Sequence, residues 1–208
     1  SPVPPPAMAA QPAPAAPRFD VEALIGRLSG ELPENRGRRV LVTGLRRADH
    51  APDLAKALGR ALSARQRAVL VSVDAGETPE TRSGFTDLVL GETSFADAIV
   101  REGQSRLHAV GAGFLAGMLL VEDARAVDAV LQAFDQTYDW VVCLLNDGAD
   151  TGLMGLMAPR VDSVVIVSDE DPESSALVDF YERTKAAGAP DVVVARETEP
   201  AEADLVAA

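Results

Sequence analysis

The sequence predicts a doubly wound, mostly parallel α/β domain, with helices covering both faces of one sheet in a three-layer α/β/α arrangement. Short apolar runs rich in Val and Leu recur at residues 39–43, 68–73, 139–145 and 162–167, as strands covered on both faces require. Helical patterns of about ten to fifteen residues lie between them, which is the signature of βαβ units. The first run passes through a short polar loop straight into an amphipathic helix. That is the layout of a phosphate-binding loop, G-x-x-x-x-G-K-[ST], and of a P-loop NTPase-like domain. Right-handed crossovers then place helices on both faces.

Each element has its own local reason. Residues 1–17 are almost wholly Pro, Ala and Val, a composition that favours extended polyproline conformation and reads as a linker. Asp20 caps a short helix whose apolar stripe is Val21, Leu24, Ile25 and Leu28. Gly30, Pro33 and Gly37 mark the following loop. The first strand is 39–43, and the helix beyond the loop begins near Pro52, a residue suited to a first helical position. Its stripe is Leu54, Leu58, Ala61 and Leu62. A second strand, 68–73, ends at Asp74-Ala75-Gly76. Residues 84–88 begin a short helix that stops at Gly91, and Ser94 with Asp97 approximates a capping box for a helix over 95–101. The remaining elements are a strand at 106–110, a helix at 122–135, a strand at 139–145, a short helix at 153–157, a strand at 162–167, a helix at 172–187 ended by Gly188, and a strand at 191–194. Residues 197–208 are an acidic tail expected to be disordered, so the folded domain is 18–196.

Bulk properties exclude several function classes. A net charge of −13 and a pI near 4.5 argue against a nucleic-acid binder, which should carry a basic footprint. The single cysteine, Cys143, excludes an internal disulfide and fits a reducing compartment; within its apolar run it reads as a buried, inert thiol. No apolar run reaches the roughly 20 residues of a membrane span. The chain opens Ser-Pro rather than with Met, so we expect a piece of a longer protein, with any membrane anchor upstream.

Several segments, in order and at the right spacing, carry a resemblance. Gly84-Phe85-Thr86-Asp87-Leu88-Val89-Leu90-Gly91-Glu92 looks like a G-L-x-D-x-L-x-G-E pattern. Tyr138-Asp139-Trp140-Val141-Val142 is similar to a Y-D-x-V-I lead into a Walker B strand. Ala158-Pro159, Asp162 and the Val run after it resemble A-P-x-A-D-x-V-x-x-V. Over residues 19–194 the chain thus resembles the cytoplasmic catalytic domain of the bacterial tyrosine autokinases (BY-kinases) that accompany polysaccharide co-polymerases. Those belong to the deviant Walker group of P-loop ATPases that includes MinD and ParA.

The resemblance also shows what has changed. The family's loop, S-A-x-P-G-E-G-K-S-T, falls on Gly44 to Asp53. Ala48 and His50 stand at glycines whose missing Cβ lets backbone amides approach phosphate. Ala51 stands at the lysine, and Pro52, without an N–H, at a Ser/Thr position. Asp53 and Asp49 add negative charge where a polyphosphate would lie. The D-A-D after the second strand is reduced to Asp74-Ala75-Gly76, the Walker B aspartate falls on Leu144, and T-P-P falls on Leu145-Asn146-Asp147. Losing the lysine contact and one amide weakens nucleotide binding by about two to four decades, and charge neutralisation in phosphoryl transfer is lost as well. The tail has no tyrosine cluster. Of the family's E-x-x-R-x-x-R ring-assembly helix only Glu22 remains, with Ile25 and Leu28 at the arginines, which speaks against ring formation through that contact.

The resemblance therefore implies a pseudo-ATPase, with no catalytic residue, no ATP or Mg²⁺, and no other metal or cofactor. It would be a cytoplasmic interaction scaffold in exopolysaccharide or capsule synthesis and export. Its partners would be proteins of that assembly, not nucleic acid, and the upstream segment would tether it to the inner membrane. Two other readings stand beside it. One is an active ATPase or kinase with a nonstandard site built from Arg46, Arg47, Asp74 and Asp147; the other is a MinD/ParA-like positioning regulator. Arg46 and Arg47 also suit weak contact with an anion, Asp74 reads as a relic carboxylate or a strand-end cap, and His50 as an acid or base only beside Asp49 or Asp53.

Overall fold

The computed structural model describes residues 19–30, 35–46, 49–76, 81–115 and 117–198. The expected linker at 1–17 and the tail beyond Thr198 lie outside these. Among the described residues the elements run α1 (Val21–Leu28), β1 (Arg38–Gly44), α2 (Ala51–Ser63), β2 (Ala68–Ser72), α3 (Phe85–Val89), α4 (Phe95–Ala98), β3 (Ile99–Arg101), β4 (His108–Val110), α5 (Met118–Glu122), α6 (Ala124–Thr137), β5 (Trp140–Leu145), α7 (Thr151–Met157), β6 (Ser163–Val167), α8 (Ser175–Ala186) and β7 (Val192–Ala195).

The seven strands form one sheet in the order β3-β4-β2-β5-β1-β6-β7. All pairs are parallel except β3 with β4. The strand period of two divides each central strand between two cores. Leu41, Val141, Cys143 and Leu145 face the side covered by α3, α6 and α7, while Val40, Val42, Trp140, Val142 and Leu144 face the side covered by α1 and α2. β1 and β5 are buried along their whole length. Cys143 has no exposed surface, and burial pushes its thiol up to about 12. Among the described residues no helix is long and apolar enough to cross a membrane.

Two elements depart from expectation. The helix opened by Ser94 ends at Ala98 instead of reaching 101, because Ile99 turns extended (ψ 127°). The β-branched pair Ile99-Val100 then pairs antiparallel with β4, Ile99 opposite Val110 and Arg101 opposite His108, a use of β-branched residues that a sheet edge rewards. The helix expected over 122–135 is α6, set two residues later, and Glu122 instead ends a separate short helix, α5. Asp123, at φ −130°, breaks the run and caps α6 through Ala126 N at 3.0 Å.

At the β3 edge, Glu102 accepts from both Nε (3.0 Å) and Nη2 of Arg60, and from Ser105 Oγ at 2.5 Å. Arg60 first, then Ser105, holds its carboxyl at about 2 against the ordinary 4.5. A depressed folded-state value gives stability that is present above the unfolded value and lost as pH falls. Glu102 thus contributes acid sensitivity between about pH 4.5 and 2. Urea midpoints measured across that window are expected to fall less steeply in Glu102→Gln than in the parent chain.

Candidate functional site

In an open α/β sheet, ligands bind outside the carboxyl ends of the strands. The order β2-β5-β1 places the ends of these three strands side by side, so the described parts of the sequence-predicted positions at Gly44–Asp53, Asp74–Gly76 and Leu145–Asp150 do come together. The loop after β1 is closed by its own carboxylate. Asp49 Oδ2 accepts the Arg46 N–H at 2.7 Å, and Arg46 O accepts the Asp49 N–H at 3.1 Å. The Arg46 guanidinium is paired with Glu170 from the loop after β6. Arg47 and Ala48 lie outside the described residues.

The helix beyond the loop starts from an unusual backbone. His50 is the N-cap of α2 with φ 48° and ψ 26°, the left-handed region, and its side chain makes no capping bond. The turn thus keeps the conformation that glycine adopts freely, at a cost to a non-glycine residue of roughly 1–2 kcal/mol. His50 Nδ1 lies 3.0 Å from Asp53 Oδ2, and Nε2 lies 3.5 Å from Glu197 Oε1. Asp53 and Glu197 both sit near the positive end of the α2 dipole, where carboxylates are favoured. Ala51 is 3% exposed and Leu144 5%, and both belong to the apolar cluster that contains Leu54, Ala55 and Val167.

Asp74 closes the other two loops on each other. Its Oδ1 accepts the Asn146 N–H at 2.6 Å and its Oδ2 the Asp147 N–H at 2.9 Å, while Asn146 Nδ2 donates to the Asp74 carbonyl at 3.0 Å. Burial raises its carboxyl above the usual range, against the opposing pull of these hydrogen bonds. Asp147 Oδ1 accepts from Ala149 N at 3.1 Å, and Asp150 caps α7 through Leu153 N at 3.0 Å. Gly148 rests on β1: a Cβ there would lie 2.5 Å from Gly44 O and 2.7 Å from Thr43 Oγ1. The ends of β2 and β5 are thus bonded to each other, while the loop after β1 is bonded within itself and to Glu170.

Glu170 and Glu197 were not among the residues expected here. They reach Arg46 and His50 from 124 and 147 positions away in the chain, and no local pattern announces such a meeting. Away from the site, Tyr138 is buried with its Oη 2.6 Å from His108 Nδ1, and Tyr181 packs half-buried against the core. On α1, Leu28 is buried in the core, Ile25 is half-buried, and Glu22 faces solvent beside Arg65.

No protein-family model matches the chain, and no curated protein matches it in sequence. Its likeness is to solved structures. The kinase domain of the Escherichia coli tyrosine kinase ETK superposes with a TM-score of 0.76 at 14% identity, covering 90% of this chain and 78% of that one. The VpsO kinase domain gives 0.63 at 18% identity over 77% and 85%. A plasmid partition protein from Borrelia burgdorferi gives 0.60 at 13% identity over 76% and 77%. The chain has the BY-kinase-like deviant P-loop fold.

Proposed function

We propose that this chain is a pseudo-ATPase, a domain that keeps the BY-kinase architecture without binding Mg·ATP productively and acts through its surface as an interaction scaffold. The observation that carries this reading is the shared burial of Ala51 and Leu144 in one apolar cluster. These are the positions at which the resemblance puts the phosphate-binding lysine and the metal-holding aspartate. The polar groups nearby do not fit a nucleotide either. Asp49 already takes an amide of the loop, Asp74 is bonded to the backbone of Asn146 and Asp147, and Glu170 neutralises Arg46. A polyphosphate would meet Asp49, Asp53 and Glu197 with no lysine to offset them, and like charges at such distances are repulsive.

The setting we infer is a polysaccharide synthesis or export assembly on the cytoplasmic side of the inner membrane, with proteins of that assembly as partners. This rests on the family resemblance of the sequence together with the fold. Isothermal calorimetry with Mg·ATP and Mg·ADP tests the core of the reading. No heat of binding is expected up to millimolar ligand, and a micromolar Kd would overturn it in favour of an enzyme with a nonstandard site.

A further inference from the structure

The opposite end of the sheet holds a second concave site. The first residues of β2 and β4, the last of β3, and the carboxyl ends of α2 and α6 surround a cavity of about 260 Å³. Its walls bring Arg67, Arg101, Arg106 and His108 together, with Thr137 and Tyr138 beside them. Such a gathering of arginines is unexpected on a chain with 32 acidic and 19 basic residues.

The local charges do not cancel. Arg67 is matched by Asp139, with Nε at 3.2 Å and Nη2 at 2.9 Å from its two oxygens. Arg101 gives one bond, from Nε to the Ser105 carbonyl at 3.3 Å, and pairs with no carboxylate among the described residues. Arg106 lines the cavity with neither a hydrogen bond nor an ion pair among the described residues. The neighbouring carboxylate, Glu102, is already engaged by Arg60. The carbonyl ends of α2 and α6 contribute about half a negative charge each, less than the two uncompensated guanidiniums supply. His108 Nδ1 is held by Tyr138 Oη at 2.6 Å; with the phenol donating, the ring proton lies on Nε2, which becomes a further donor.

We propose that this cavity binds the phosphate group of a small phosphorylated ligand, a phosphate monoester. The planar guanidinium fork matches oxyanions in a bidentate manner, and Arg101 and Arg106 line this cavity together with a histidine and a threonine. The volume lies below the roughly 300–1,000 Å³ of drug-sized sites, so it suits phosphate with a small organic group rather than a nucleotide. The site is separate from the loops after β1, β2 and β5, and its occupation does not depend on whether ATP binds there.

The test is calorimetric titration of the chain with inorganic phosphate and with glucose 1-phosphate, beside unphosphorylated glucose, in low salt. Saturable binding of either phosphate is expected, weakened about tenfold or more in Arg101→Ala/Arg106→Ala and unchanged in Arg46→Ala. Arg101 and Arg106 are both solvent-exposed, and Arg106→Gln alone, expected to lose about threefold or more, guards against an unfolded double variant. The ratio of the two phosphate affinities identifies the source of the phosphate. Absence of binding at roughly 10 mM, equal binding by the parent and the double variant, loss in Arg46→Ala, or competition by glucose would each overturn the proposal.

Discussion

Replacing Asp135 with alanine is expected to lower the stability of the domain by about 3–5 kcal/mol, the cost of leaving a buried charge without its partner. The Arg39 side chain is 10% exposed and that of Asp135 6%. Two bonds join them, Nη2 to Oδ2 at 2.5 Å and Nε to Oδ1 at 3.2 Å. The remaining Nη1 donates to the Arg160 carbonyl at 3.2 Å. The pair ties the first residues of the central strand β1 to the end of α6, across the face where α6 covers the sheet. Removing both charges is a different experiment from removing one. Arg39→Met/Asp135→Leu is expected to recover most of the loss, since the desolvation cost disappears with the ions. Urea denaturation of the two variants measures the difference, and an Asp135→Ala cost below about 1 kcal/mol would mean that water reaches Arg39.

Gly84→Ala is expected to cost about 3 kcal/mol or more, at the top of the range for overpacking. A Cβ there would lie 2.2 Å from Gly111 O and 2.5 Å from Gly113 N. Neither atom is free to retreat. Phe85 N donates to Gly111 O at 2.8 Å, Thr86 N and Oγ1 both donate to Ala112 O, and buried Asp87 accepts from Gly84 N at 2.8 Å and Phe114 N at 3.1 Å. Gly155→Ala, in α7 with nothing within 4 Å of the added carbon, is the matched control. It is expected to stabilise by up to about 1 kcal/mol through helix propensity. Thermal melts of the two variants should therefore move in opposite directions.

This network also gives residues 84–92 a structural role. Gly84, Thr86 and Asp87 fasten α3 to the loop after β4. The central strands were legible because full burial on both faces leaves only one kind of sequence, as in Val40-Leu41-Val42 and Val141-Val142-Cys143. β3 was not, since three residues following a helical cap carry no period of their own and become a strand only through the edge of β4. At the site, local contacts such as His50 with Asp53 could be anticipated from spacing along a helix. The closure of Asp74 onto Asn146 and Asp147, more than 70 residues apart, depends on the sheet order and has no local signature. The arginine cavity was hidden for the same reason: its cationic members lie at or just before the ends of β2, β3 and β4, and His108 alone reads as a packed ring.

The position of β1 in the sheet also governs how the chain must fold. Its two neighbours are β5, where Arg38 meets Trp140, and β6, where Val40 meets Ser163. Both pairings close loops of about 100 residues or more, and the entropy of closure is met before any of those contacts form. During synthesis β1 leaves the ribosome early, apolar on both faces, and waits for most of the domain before it can be covered. The nearby pairings, β3 with β4 and β6 with β7, are expected to form first. The expected slow step is then the insertion of β1 between two later strands, during which the nascent chain is open to aggregation.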